Sequence, residues 1–450
     1  MKQSNVFTFA ALSRFIFSLW FILMIAIRAE ADQCGNVSSA LTPPYIPTTG
    51  TFRALIVFVQ FEDDVFDGPP NCIADPTNGW PSSLHAIPSW ATGTTFIHSQ
   101  TAAQYTTGSI SHFYDLMSNG AFDFIGDVYP QAYITPEPKS YYNINQGRGR
   151  GWLNQQIIDW MNPNVNFANY DNDNDGDVDM IIFIYRNWDS PTFNGDSYQG
   201  IADLGFAGSI TRDGKSILGG FPGSGTSQDD VYALGDFWNI GIHEISHYQF
   251  GGNHFDYIGK FGVHDGNNGA TTMSGYERSL LGWSNPTLIT SNTSVTLTDA
   301  ATTSNYYRIN IPNSDEYFLL ENRRALSIYE QNDFCLHTGV PATGLMIAHI
   351  RPSAAKIDQI RWEAADNTFL IGENGQASDS YKPGNKVQFT PWTRPNSDRS
   401  NGAFTGIAVT NINQSGNNIT ADIVINFSSG TLTENSWWEV VVHPIFWTQN

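Results

Sequence analysis

The sequence predicts an α/β fold followed by a β-rich C-terminal region, and three observations carry that prediction. An apolar run of strand length occupies residues 52–61. Helical spacing of apolar residues recurs at 152–161 and 231–250. Beyond about residue 288 the texture changes to short Thr, Ser, Val and Ile runs divided by Asn, Gly and Pro. β-Branched and aromatic runs of this length suit strands, and a 3.6-residue apolar period suits helices. With 450 residues the chain is long enough for one large domain or two ordinary ones.

Taken in order, the chain opens with Lys2 and Arg14 ahead of an apolar run at residues 15–27, followed by Ala29-Glu-Ala31. This predicts a secretory signal peptide over residues 1–31, because the run is short of the roughly 20 residues that span a bilayer as a helix. Residues 32–50 form a short polar N-terminal segment, and 52–61 reads as a buried strand. Loops rich in Pro, Gly, Asn and Ser follow, then a short helix at 110–117 and a strand at 122–129. Leu153, Ile157, Trp160 and Met161 share one face of a helix that Asn162-Pro163 stops. A core strand is expected at 180–185. The helix at 231–250 ends at Gly251-Gly252, and another at 274–281 ends at Gly282. Strands are expected at 294–297, 306–311, 317–320, 345–350 and 419–425 within a β-rich region spanning 289–430, with a tail at 431–450.

The formal charge is −21, and removing residues 1–31, with Lys2, Arg14 and Arg28 against Glu30, leaves −23. Such a balance excludes nucleic acid as a natural partner and leaves carboxylates for hard cations. Beyond the signal segment no run reaches membrane-spanning length, so stable membrane insertion is not expected, and a monomer is the default. Three cysteines, Cys34, Cys72 and Cys335, permit one disulfide and one leftover thiol in an oxidising compartment. Asn36, Asn292, Asn413, Asn418 and Asn426 stand in glycosylation sequons.

The chemistry centres on His243-Glu-Ile-Ser-His247. Two imidazoles four residues apart on a helix project from one face and can share a metal ion. Zinc suits imidazole, and Glu244 beside it suits a general base acting on a water molecule. The longer metzincin pattern has a glycine seven residues and a third ligand ten residues after the first histidine. Here those positions hold Phe250 and Asn253, while Gly251 and His254 each come one residue late. His254 is the expected third ligand, with Asp256 and Glu277 as alternatives. Met273, in the tight segment Thr271-Thr-Met-Ser-Gly-Tyr276, is a candidate apolar floor for the site.

Residues 171–179 carry Asp171, Asp173, Asp175, Asp177 and Asp179 at alternate positions with Gly176 at the bend, the first half of a calcium loop. The EF-hand glutamate is absent, since the twelfth position is Ile182. Calcium here would be structural, pinning the loop to the strand that follows. Cys34 could approach the metal, but a disulfide to Cys72 or Cys335 is the better reading for a secreted chain. His349 and Glu321 read as core or hydrogen-bonding residues.

These segments together resemble the immune inhibitor A family of secreted zinc metallopeptidases. The resemblance spans roughly residues 51–425. It rests on the opening strand at 53–61, the acidic loop at 170–179, the His243–His247 motif, and Met273 with Tyr276-Glu-Arg-Ser-Leu-Leu-Gly-Trp283. Downstream it includes Glu316-Tyr-Phe-Leu-Leu-Glu-Asn-Arg323 and Gly344-Leu-Met-Ile-Ala-His-Ile350. It implies a zincin-like catalytic domain over residues 51–288, with a mixed sheet and an active-site helix, followed by a sandwich-like β-rich region. It also implies zinc held by His243 and His247, Glu244 as catalytic residue, bound structural calcium, and endopeptidase activity on protein or peptide substrates outside the cell. The family commonly has an acidic residue where this chain has Asn253, and often a sizeable pro-domain where this chain has only residues 32–50.

Overall fold

The computed structural model describes residues 42–64, 80, 85–188, 191–195, 199–229, 234–266, 271–331 and 339–426, without the side chains of 234–236. The expected signal peptide, all three cysteines and the expected tail at 431–450 lie outside the described residues. No helix among the described residues is long and apolar enough to cross a membrane.

The structure is a mixed α/β arrangement of several sheets and few helices. Its first sheet is organised by β1 (Gly50–Gln60). One face of β1 sends Phe52, Ala54, Ile56 and Phe58 into one core, and the other sends Leu55, Val57 and Val59 into a second. A strand covered on both sides needs apolar residues at every position, which is why the run is continuous rather than alternating. β2 (Phe122–Val128), β4 (Ile181–Tyr185) and β8 (Gly225–Gln228) complete a parallel set in the order β2-β1-β4-β8, and β3 (Tyr133–Ile134) pairs with the end of β1. β5 (Gly200–Ile201) joins β8 antiparallel and ends the sheet. β6 (Ser209–Arg212) and β7 (Lys215–Leu218) form a separate hairpin.

Helices cover both faces of this sheet. α1 (Ile110–Ser118) starts where the Ser109 side chain accepts from His112 N–H and stops at Asn119 in the left-handed region. α2 (Arg150–Met161) buries Leu153, Ile157, Ile158 and Met161 against the second core. α3 (Leu234–Phe250), which carries the histidine motif, packs with α1 on the first core through Phe237, Trp238, Ile242, Ile245 and Tyr248. α4 (Gly275–Leu280) is opened by a capping box in which Ser274 and Glu277 satisfy each other's backbone N–H groups. The short α5 spans Ala300–Thr303.

Two further sheets follow. β9 (Thr287–Ile289), β11 (Tyr306–Asn310), β12 (Tyr317–Arg323), β13 (Gly344–Ile350) and β14 (Ile360–Trp362) form one in the order β14-β13-β12-β11-β9. β10 (Thr293–Leu297), β15 (Ile407–Ser415) and β16 (Asn418–Ile425) form the other. Alternation along β12 and β13 explains their placement. Phe318, Leu320, Leu345 and Ile347 meet Val295, Leu297, Val409 and Ile419 in a sandwich core, whereas Tyr317, Leu319, Met346 and Ala348 join the core under α3. One hydrophobic core therefore crosses residue 288. A buried cluster reinforces it. Arg323 bonds Glu321 Oε1 at 2.8 Å, Glu330 Oε1 at 2.5 Å and the Phe261 carbonyl at 2.8 Å, and Glu321 Oε2 accepts from Gly275 N–H at 2.8 Å. Thus β12 braces the chain on both sides of Met273.

Candidate metal centre

Helical periodicity puts His243 and His247 on one face of α3, and the structure fixes the orientation of both rings. His243 Nδ1 lies 3.0 Å from the Val263 carbonyl oxygen, and His247 Nδ1 lies 3.1 Å from that of Gly251. A carbonyl oxygen only accepts, so each Nδ1 carries the proton and each Nε2 keeps its lone pair. The second of these bonds depends on Gly251, whose φ of +95° turns the carbonyl back toward the helix. The turn then delivers His254. One nitrogen from each of His243, His247 and His254 falls within 4.8 Å of the others, and the Nε2 atoms of His247 and His254 are 3.2 Å apart. A trio so arranged could hold a metal ion.

Burial holds all three imidazoles neutral, the form that offers a lone pair. The pKa of His243 is lowered to about 4 and that of His254 to about 3, in each case mainly by desolvation, and His247 lies well below the usual histidine range for the same reason. Neither alternative third ligand belongs to the group. Glu277 is fully buried and occupied elsewhere: Oε1 accepts from Val263 N–H and His264 N–H at 2.9 Å each, and Oε2 accepts from Ser274 N–H at 2.7 Å and Ser274 Oγ at 3.0 Å. Its effect is indirect, because it fixes the peptide whose carbonyl orients His243. Asp256 stands on the loop after His254 without contributing an oxygen to the trio. Met273 is fully buried in the core shared with Ile242 and Phe255.

Three residues missed in sequence complete the surroundings. His264 is buried behind the trio, with Nε2 2.8 Å from the Asn253 carbonyl and Nδ1 2.7 Å from Ser246 Oγ. It links α3 to the residue before His254. Lys356 reaches over from the β-rich half, donates to the Phe250 carbonyl at the end of α3, and lies 5.0 Å over the Phe255 ring. A cation at a helix C-terminus is favourably placed. Gly200, on β5, lies against the Glu244 carboxylate, and Glu244 itself is only 6% exposed.

The acidic loop brings oxygens of Asp171, Asp173 and Asp179 within 4.8 Å of one another. Asp175 and Asp177 stand outside that group and shape the turn, with Asp175 N–H donating to Asp173 Oδ1 and Asp177 N–H to Asp175 Oδ1. Lys215 pairs with Asp171 at 2.5 Å. Burial, reinforced by the charges of Asp173 and Asp175, pushes Asp179 up to about 6. Comparison with protein-family models and with curated proteins finds no match for this chain.

Proposed function

We propose that the chain is a secreted zinc-dependent endopeptidase of the immune inhibitor A family, with His243, His247 and His254 as metal ligands and Glu244 as general base. The observation that carries this reading is the convergence of three neutral imidazoles, two of them held in one tautomer by backbone carbonyls, beside a largely buried glutamate of the same helix. The donor set fits zinc. Two ligands of a tetrahedral zinc at about 2.0–2.1 Å stand about 3.3–3.4 Å apart, close to the 3.2 Å between the Nε2 atoms of His247 and His254. Carbonyl bonds at the opposite ring nitrogens are the usual support for such ligands.

Bound zinc would supply Lewis-acid polarisation of water and of the scissile carbonyl. Glu244 accepts the proton of the attacking water at its carboxylate and passes it to the leaving amine. The antiparallel edge strand β5 favours a peptide as substrate. It ends the sheet beside Glu244, and an extended peptide can add to such an edge through main-chain hydrogen bonds. A structural calcium at Asp171, Asp173 and Asp179 belongs to the same proposal.

The test is zinc content and hydrolysis of a denatured protein by wild type and Glu244→Ala in calcium-containing buffer. One zinc in each protein with cleavage by wild type alone is the expected result. Absence of bound zinc would favour a binding protein on this scaffold. Zinc with hydrolysis only of non-peptide esters or amides would move the substrate class.

A further inference from the structure

Away from the metal centre, a cavity of about 420 Å³ opens where β13 ends and β14 begins, closed on its other side by the loop that precedes β15. Its lining runs against the composition of the chain. In a protein of net charge −21 with fifteen arginines, four of them, Arg351, Arg361, Arg394 and Arg399, line this one cavity. The carboxylates in the lining are Glu363 and Asp398, so guanidinium groups outnumber carboxylates at the wall itself, with Asp358 and Glu316 behind it.

The guanidinium groups are held with donors to spare. Arg361 stacks 4.0 Å over the Tyr257 ring and bonds Asp358 Oδ1 through Nε at 3.0 Å, while Arg351 Nη2 meets the same oxygen at 3.2 Å. Arg399 donates through Nη2 to the Pro312 carbonyl. The Nε atoms of Arg351 and Arg399, and Oδ1 of Asp398, are buried without a hydrogen-bond partner among the described residues, so the remaining N–H groups of the forks are the ones that can meet a ligand oxygen. Glu316 and Glu363 are already engaged. His349 lies 2.8 Å from Glu316 and 3.3 Å from Glu363, and Glu316 also accepts from Ser400 N–H and Oγ, which pins the loop carrying Arg399.

Guanidinium forks match the oxygens of carboxylate, sulfate and phosphate. The cavity exceeds what a bare oxyanion needs and falls in the range of small-molecule sites. The rest of its wall is Asn367, Asn396, Ser400 and His349, with Pro395 the one apolar residue among the described ones. Amide and hydroxyl edges of this kind suit ring hydroxyls. We propose that this cavity binds an anionic saccharide, a hydroxylated ring bearing a sulfate, phosphate or carboxylate group, with the arginines on the oxyanion and the asparagines and Ser400 on the hydroxyls. This site is independent of the metal centre.

The test is calorimetric titration of the full chain, and of Glu244→Ala, with glucose 6-sulfate, glucose 6-phosphate, glucuronate, neutral glucose and inorganic sulfate at low salt. The expected result is saturable binding of at least one anionic sugar to both proteins, tighter than glucose or sulfate, and weakened about tenfold or more in Arg394→Ala/Arg399→Ala. Should that double variant lose its cooperative melt, Arg394→Gln, at an exposed position, replaces it. Three results would each overturn the proposal: no saturation by any anionic sugar at about 20 mM, glucose or inorganic sulfate binding as tightly as the best-bound anionic sugar, or unchanged affinity in a folded arginine variant.

Discussion

Gly200 and Glu244 are packed so closely that no side chain can stand between them. A Cβ built on Gly200 would lie 2.7 Å from Glu244 Cγ and nearer still to Oε1. The edge of the first sheet therefore sets the position of the glutamate proposed as the base. Gly200→Ala keeps every proposed ligand and displaces the Glu244 carboxylate. Its kcat should fall by about a hundredfold, the lower part of the range for general acid–base contributions, while zinc content stays at the wild-type level. An alanine variant with wild-type kcat would show that the carboxylate position is not critical.

The His264 ring ties the helix to the loop on which His254 rides. Replacing it by Phe keeps the packing against Phe250 and Phe255 and removes the bond to the Asn253 carbonyl. Zinc affinity, measured by competition with a chelator, should drop by about 10- to 100-fold, the usual effect of losing a group that orients a ligand. Unchanged affinity would mean that the turn places His254 without this link.

How much of this was legible in sequence follows from where the apolar surface lies. β1 and β4 are buried on both faces, so their sequences are uninterrupted apolar runs, and α3 announces itself through helical spacing and the Gly251-Gly252 stop. β8, in contrast, reads Gly-Thr-Ser-Gln, with no strand signal in its sequence although all four residues are buried. Its central serine is satisfied in place: Ser227 Oγ accepts from Arg150 and Asn154 and donates to the Asp203 carbonyl, so a polar strand is buried here without a hydrophobic pattern. β6 and β7 do carry a local signal, the Asp213-Gly214 pair at positive φ that makes a tight hairpin turn. His254 was found because it is close to the motif in sequence. His264 follows no spacing rule, since its place depends on Glu277 holding its loop from α4.

Lys356 gives the site a measurable pH dependence. Burial lowers its pKa to about 8 from an ordinary 10.5, so between those values the folded chain binds fewer protons than the unfolded chain and stability rises with pH. The cost of burying the ammonium is therefore fully present below about 8 and relieved above it. In Lys356→Met that dependence is absent, so the stability of wild type relative to the variant should increase from pH 8 to pH 10. Urea melts at both pH values measure it, and a pH-independent difference would place the ammonium in a better-solvated position than the structure gives it.

The acidic loop makes the opposite prediction for a carboxylate. Asp179 is raised to about 6, so without a cation its contribution to stability declines as pH rises from about 4 to 6, because the folded loop must then hold a buried charge near Asp173 and Asp175. A bound calcium ion would compensate that charge and add stability by mass action. Calcium should accordingly raise Tm clearly at pH 7 and little at pH 4.5. Asp179→Asn keeps an oxygen to accept from Asn172, whose N–H and side-chain amide both reach the same Asp179 oxygen, and should be more stable than wild type at pH 7 without calcium while losing the calcium increment. Equal calcium effects at both pH values, or none at pH 7, would leave Lys215 and the loop's own hydrogen bonds as the whole explanation of how these aspartates are accommodated.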